Sequence, residues 1–496
     1  MTITTKLFTT CALIAAFSAS AQAQTNVDLN TWSQKGPSGN GNWTVENAGD
    51  TVFQSINGNP TYFVSPNDFF NTNVQGSFLR DRNRQPGFND DDFIGFVFGY
   101  NEPGDNATDA SFYLLNWKRG TQSSTEEGFR LIRVNGTTTP PFGNAENDNL
   151  PNYDVLATNT GGTLGWENNI VYDFDLLYTQ DRIRIEITGG TGAYQNGLTI
   201  FDLSKEVIGV PAFTTGQFGF YNHSQQGVEY RSFTLTEPAL STTPGDTGTL
   251  DFLARVGESD IQAITTTNAG GTGTLLTGSA GSPADPLFSG PAEAPAFSLG
   301  SAESTDYAYT YAPTVRTDGT PDTDTVTIAS NEDGSHTINL SGTAVGPVAA
   351  FEQDTVAVLP GETLDFGSII ADQIATLDLT LLNTTLDPGG PDLTDLTIID
   401  ILITGADDTL FSLLNNLDGT RINAGSSADL NLQFDPALLV GDFSATLTIL
   451  TDENAALGGD GTDFTFNLIG SATPIPEPAA ATLLTLGLLT TLSRRA

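Results

Sequence analysis

The sequence predicts an all-β protein: a large antiparallel jelly-roll sandwich, two smaller β-sandwiches and a short C-terminal hydrophobic helix. Three observations lead there. Long helical periodicity is missing and turn formers are abundant, with 52 Gly in 496 residues. Segments such as Arg182-Ile183-Arg184-Ile185-Glu186-Ile187 alternate charged and apolar residues, the period-two pattern of a strand with one buried face. The second half repeats itself at an offset of roughly 115 to 130 residues, one small sandwich per copy.

Residues 1–23 read as an export signal. Lys6 supplies a minimal positive region, Leu7 to Phe17 is largely apolar, and Ala21-Gln22-Ala23 fits small-residue cleavage after Ala23. Cys11, the only cysteine, lies inside this segment. The exported form therefore has no thiol, disulfide or cysteine-based metal site, and its stability falls to core packing and any bound ions. Lys and Arg total 18 against 59 Asp and Glu, a formal charge of -41. So acidic a surface repels nucleic acid and anionic polymers, excludes nucleic acid as a partner and attracts divalent cations.

Residues 24–238 form the predicted jelly roll. Phe93-Ile94-Gly95-Phe96-Val97-Phe98-Gly99-Tyr100 is apolar on both faces, which suits a central strand covered on each side. Phe112-Tyr113-Leu114-Leu115-Asn116-Trp117 is similar, and Asn101 to Ala110 reads as the hairpin loop between them. Just ahead stand Asp90, Asp91 and Asp92. Calcium takes six to eight hard oxygen ligands, so adjacent carboxylates at a strand entrance make a candidate metal site. A regular strand points Asp90 and Asp92 one way and Asp91 the other, so in that conformation the three could not share one ion, and another loop must lend oxygens. Trp32, Trp43, Trp117 and Trp166 could stack on sugar rings, but their strand spacing assigns them to the core.

These residues carry a resemblance. Gly76-Ser77-Phe78, the run from Asp90 to Tyr100, Ser111-Phe112-Tyr113, Asn116-Trp117-Lys118, Leu164-Gly165-Trp166, Gly216-Gln217-Phe218-Gly219-Phe220-Tyr221 and Ser224-Gln225 together resemble the thrombospondin C-terminal domain, in the same order. The resemblance implies a concanavalin-like lectin sandwich that binds Ca2+. The calcium-rich repeats and cysteines that accompany that domain in thrombospondins are absent. Where the family tends to show Asp before the Gly-Ser/Thr-Phe pattern this chain has Asn73, which lowers ligand charge at one calcium position.

Two further domains are expected at 248–345 and 350–472, after a Thr/Pro/Gly-rich stretch from Pro238 to Gly248. Leu250-Asp251-Phe252 recurs as Leu364-Asp365-Phe366, Tyr311-Ala312-Pro313 as Phe434-Asp435-Pro436, and Thr325 to Ile328 as Ala445 to Ile449. The closing stretch His336 to Ala344, with Gly342, answers Phe464 to Ala472, with Gly470. The copies resemble the ASH-type, or choice-of-anchor, immunoglobulin-like domains of bacterial surface proteins, which implies spacers. Asp318, Asp322 and Asp324 form a loose acidic cluster without calcium-loop spacing and read as solvated.

Residues 474–496 read as a second processing signal. Pro476-Glu477-Pro478 precedes an apolar run, Ala479 to Leu492, and then Arg494 and Arg495. An ordinary terminal helix would show a polar face, and this run hardly does. At 1.5 Å per residue it would reach about 20 Å, short of a ~30 Å hydrocarbon core, so a transient membrane hold with the arginines on the cytoplasmic side is expected. The tail resembles the PEP-CTERM sorting signal, which implies an exosortase as partner and a working place at the surface or in the extracellular matrix of a Gram-negative-type bacterium.

Catalysis finds little support. The exported chain has two histidines, His223 and His336, in different predicted domains, and no zinc-protease, phosphate-loop or nucleotide motif is visible. Glycoside hydrolysis on the concanavalin-like fold is the enzymatic alternative, although the strand pattern Glu-x-Asp-x-x-Glu is missing. The expected function is that of a non-catalytic calcium-binding adhesion or matrix protein, a lectin-like head on spacers, with exopolysaccharide or other surface proteins as candidate ligands.

Overall fold

Alternating and doubly apolar segments together leave the chain one economical solution, which is to stack sheets. The computed structural model describes residues 24–87, 90–102, 110–122, 125–136, 152–292, 294–317, 319–386, 393–453 and 462–476. Its regular secondary structure is almost entirely strand, arranged among the described residues in six sheets. The signal residues Ala21 and Ala23, Asp318, positions 103–109 of the expected hairpin loop, the sorting residues Glu477, Pro478, Arg494 and Arg495, and the expected C-terminal helix lie outside the described residues.

Two sheets build the first unit. One runs Leu198–Ser204, Arg182–Gly189, Tyr172–Tyr178, Thr72–Arg80, Val228–Thr236, Thr51–Gln54 and Trp43–Glu46, with Thr25–Asn26 also on Val228–Thr236. The other runs Tyr153–Thr160, Gly128–Asn135, Ser111–Lys118, Phe93–Asn101, Gln217–His223, Thr61–Asp68 and Ser33–Lys35. The segment Arg182–Gly189 buries Ile183, Ile185 and Ile187 as its alternation requires.

The strand Phe93–Asn101 is covered on both faces. Ile94, Phe96 and Phe98 enter the core between the sheets, beside Phe174, Phe218 and Phe233. Phe93 and Val97 join Tyr62, Phe112, Leu114, Ile132 and Tyr221 in a second buried layer on the outer face. The pairing slips between Phe98 and Asn101, where Gly99 takes φ 59°, and this bulge turns Tyr100 to the outer layer. Gly95 is required by close approach: a Cβ there would sit 1.9 Å from the Leu115 carbonyl oxygen. All four tryptophans pack inward. Trp117 is fully buried and stacks on Phe129 at 4.5 Å between ring centroids, and Trp43 stacks on Phe63.

The next two units share one plan. In each, a first strand lies parallel to the last: Thr249–Arg255 on Ser335–Val345, and Thr363–Ile370 on Thr462–Thr473. The strand orders match except that the last unit adds a short edge strand, Val356–Ala357, and the repeated sequence segments fall on equivalent strands. One contact explains why glycine and an aromatic recur together. A Cβ on Gly342 would lie 2.5 Å from the Tyr311 ring, and one on Gly470 would lie 2.6 Å from the Phe434 ring. The glycine makes room for the ring that closes each small core. Asp322 and Asp324 are less free than their sequence context suggests. Asp322 accepts from the Tyr311 hydroxyl at 2.5 Å, and Asp324 accepts from the backbone N–H groups of Ala284, Asp285 and Thr325.

The units join end to end. Asn71 donates to Glu332 at 2.7 Å, and its carbonyl accepts from Leu275 N–H. Farther along, Arg255 donates to the Leu393 and Asp395 carbonyls and pairs with Asp452 at 3.1 Å. Because Gln217 pairs with both Asp68 and Tyr100, the far end of Phe93–Asn101 lies at the Asn71 junction. Its beginning, next to Asp90–Asp92, is then roughly 27 Å away along the strand.

We expect Gly470→Ala to destabilise the last unit, and Gly342→Ala the middle one, by roughly 1–3 kcal/mol each through overpacking against the ring. Urea denaturation of the full chain measures this. Gly245→Ala, where a Cβ meets nothing within 4 Å, serves as the neutral control.

Candidate metal centre

The aspartate triplet does not lie on the strand it precedes. Phe93–Asn101 starts one residue after Asp92, so the alternation that would part the three carboxylates does not apply. Instead the backbone is pinned by its carbonyls. Asp90 O accepts from Arg119 Nη1 at 3.2 Å, and Asp91 O accepts from Arg119 N and from Lys118 Nζ at 3.0 Å. Asp92 O accepts from the Trp166 indole at 3.2 Å. With these carbonyls engaged, the carboxylates gather elsewhere: one oxygen from each of Asp90, Asp91 and Asp92 lies within 4.8 Å of the others. Oxygens bound to a single calcium lie at most about 4.6–5.2 Å apart, twice the metal–oxygen distance. All three can therefore share one ion.

Other segments complete the cradle. Asn57, from the loop before Thr61–Asp68, donates to the Asp90 carboxylate and accepts from the Ser224 hydroxyl at 3.2 Å. Ser224 follows the strand Gln217–His223 and takes φ 50°. Lys118, at the end of Ser111–Lys118, is buried with its ammonium 3.3 Å from Asp92 Oδ1 and 3.7 Å from Asp91 Oδ1. Three carboxylates against the Lys118 ammonium and the nearby Arg119 guanidinium leave the cluster net negative, which a divalent cation offsets. The oxygens of the three carboxylates, with Asn57 and Ser224 beside them, are the hard donors calcium takes, and the residues fit the ion.

The electrostatics show what the cluster lacks without a cation. Asp92 is buried, and burial together with the neighbouring Asp90 carboxyl pushes it up to about 6, against the partial relief from Ser224 and Lys118. Next to it His223 is buried, and desolvation pushes it down to about 4. His223 is a strand residue paired with Phe93, and His336 meets Thr242 at 2.9 Å in the next unit, so the two histidines share no site.

Sequence reasoning identified the triplet but not its company. Lys118 and Ser224 sit in motifs that carried the resemblance, without a role assigned to them there. Asn57 gave no signal, because only the fold brings it to Asp90. Asn73 is not part of the cluster. It lies on the other sheet, on Thr72–Arg80, and donates to Asp175 at 2.7 Å. Nor does the outer face of the central strands offer a carboxylate pair. Its positions are Phe93, Gly95 and Val97, then Phe112, Leu114, Asn116 and Lys118, then Tyr221 and His223.

Residues 38–236 match the family described as the thrombospondin C-terminal region. Thrombospondin-2 of Gallus gallus is 25% identical over 210 residues, 38% of this chain and 16% of its own length. Cartilage oligomeric matrix protein of Homo sapiens is 30% identical over 108 residues, 20% of this chain and 13% of its own. The chain thus spans about a sixth or less of the length of these relatives. Among solved structures, the exoplasmic/lumenal domain of VIP36 in its Ca2+/Man2-bound form is 10% identical with a TM-score of 0.29, covering 41% of this chain and 80% of that one. Peanut lectin is also 10% identical, with a TM-score of 0.28, covering 43% and 96%.

Asp92 and His223 act oppositely on the pH dependence of the cation-free protein. A carboxyl raised from its ordinary value near 4 to about 6 favours folding while protonated, and that contribution is lost as pH rises through this range. A histidine lowered from about 6.5 to about 4 favours folding above 6.5, and its contribution is lost as pH falls. In chelator, Asp92→Asn should therefore gain stability relative to wild type from pH 4 to 6, and His223→Gln should lose it, each by up to about 3 kcal/mol. Urea titrations at the two pH values read both.

Proposed function

We propose that this protein is an exported, calcium-binding adhesion or matrix protein of the bacterial surface. Residues 24–238 would be a lectin-like head, 248–345 and 350–472 immunoglobulin-like spacers of the ASH type, and 1–23 the export signal. Pro476, Glu477 and Pro478 with the apolar run and Arg494 and Arg495 would form a PEP-CTERM signal handled by an exosortase, with the membrane engaged only transiently. The observation that carries the reading is the convergence of Asp90, Asp91 and Asp92 within 4.8 Å, in the part of the chain that matches the thrombospondin C-terminal region.

Position supports an adhesive role. The cluster lies at the end of the head away from the next unit, where loops can meet a partner without obstruction. An ion bridging Asp90–Asp92, Asn57 and Ser224 would fix three separate loop entries at once. Calcium would thus order a recognition surface and take no part in a reaction, with exopolysaccharide or another surface protein as the ligand. The outer face of the central strands, filled by Tyr62, Val97, Phe112 and Tyr221, gives a two-carboxylate glycosidase mechanism no groove there.

Calcium at about 100 times its Kd should stabilise the head by roughly 2.7 kcal/mol. A rise in melting temperature over chelator that Asp90→Asn plus Asp92→Asn removes is the expected outcome, and an unchanged midpoint in wild type contradicts the reading. The adhesive part is tested separately, by binding of the full chain to isolated exopolysaccharide and to cell-surface protein. Binding that chelator leaves intact would contradict a calcium-ordered surface.

A further inference from the structure

The opposite end of the chain of units carries an apolar surface that the fold does not use. In the last unit the turn Pro436 to Val440 joins Ser427–Phe434 to Gly441–Thr451. Leu438 is 67% exposed, Leu439 53% and Val440 56%. Ala437 and Leu438 hold φ values of 51° and 72°, left-handed conformations that are unfavourable for a residue like Leu. The strained turn therefore presents its leucines to the outside and gains no core contact for them. A second turn lies against it, since Leu438 N–H donates to Ala371 O at 3.1 Å, and it adds exposed Ile370 and Ile374. The last strand, Thr462–Thr473, ends here too, through Ala371 N–H on Thr473 O, and Ile475 follows it exposed.

Two facts of placement say what covers this surface. Leaving the tip, the chain needs only residues 474–478 to reach the apolar run from Ala479 to Leu492. Even fully extended, five residues span about 17 Å. Moreover, the three segments forming the tip contain no Lys or Arg, while Asp372, Asp435 and Asp442 lie among them. An anionic partner finds no complement there.

We propose that this tip, Leu438 to Val440 with Ile370, Ile374 and Ile475, seats in the interfacial layer of a lipid bilayer. The proposal rests on the reading of residues 474–496 as a membrane-engaging signal. Once the run enters the bilayer, the short tether brings the tip to the surface, and the exposed leucines leave water for the acyl boundary. The last unit is thereby held with its end against the membrane and the aspartate cluster pointing outward. The attraction is apolar, so neutral phosphatidylcholine suffices and added salt does not release the tip.

Because Cys11 is the only cysteine, Cys11→Ser in the full chain permits single labels. An environment-sensitive fluorophore is placed at Leu439→Cys and, as a control, at Val207→Cys, which is 72% exposed on the head. With phosphatidylcholine vesicles the label at 439 should shift to the blue and be quenched by spin-labelled lipid, while the label at 207 does neither. Chain that floats with vesicles while the label at 439 is unmoved overturns the tip proposal and leaves the tail reading standing. Chain that does not float overturns both. A blue shift at 439 that appears without vesicles and grows with protein concentration overturns it in favour of a second copy of the chain.

Discussion

Three carboxylates held within 4.8 Å of one another at the entrance of a central strand are the constraint around which the head is organised. Like charges this close in a partly buried place repel, and the structure answers with neighbours and not with distance. Lys118 is buried against two of them, while the indole of Trp166 and the side chain and amide of Arg119 engage the carbonyls behind. A net negative charge remains. The segments that meet there come from five parts of the chain, around Asn57, Asp90–Asp92, Lys118, Trp166 and Ser224, so the cluster ties together the loops at the exposed end of the sandwich.

The sheet beneath it has an equally specific requirement. Phe93–Asn101 is buried on both faces, and this leaves no room for error in register or in side-chain size. Gly95 lets the neighbouring strand come close, and Gly99 permits the bulge that directs Tyr100 outward. The same use of glycine under an aromatic ring recurs at Gly76 beneath Phe233, Gly342 beneath Tyr311 and Gly470 beneath Phe434. In each sandwich a ring needs a glycine opposite it.

Much of this was legible in sequence, and for physical reasons. Alternation at Arg182 to Ile187 and the doubly apolar run at Phe93 to Tyr100 specify burial directly, because strand side chains alternate. The internal repeat was legible because the aromatic and the glycine that meet in each small core recur in the same order on equivalent strands. The triplet was visible as a run of acid, but its geometry was not. Period-two reasoning separates Asp91 from its neighbours, and it fails because the three residues precede the strand. Asn57, Lys118 and Ser224 reach Asp90–Asp92 across 26 to 134 residues of sequence, and no local pattern encodes such a meeting. Asp322 and Asp324 read as solvated because the Tyr311 hydroxyl and the Ala284 and Asp285 amides reach them from distant parts of the chain.

The two ends of the chain of units are chemically opposite, one a gathering of carboxylates and the other an apolar turn beside the exit to the C-terminal segment. The account stands or falls on whether the first of them holds a cation. Trp166 donates to the Asp92 carbonyl at 3.2 Å, so an ion bound by the triplet lies within energy-transfer reach of an indole. The most direct measurement is terbium luminescence excited through tryptophan in the full chain. The account predicts sensitised emission that calcium displaces and that Asp90→Asn with Asp92→Asn abolishes. No sensitised emission, or emission untouched by calcium and by those substitutions, would contradict it.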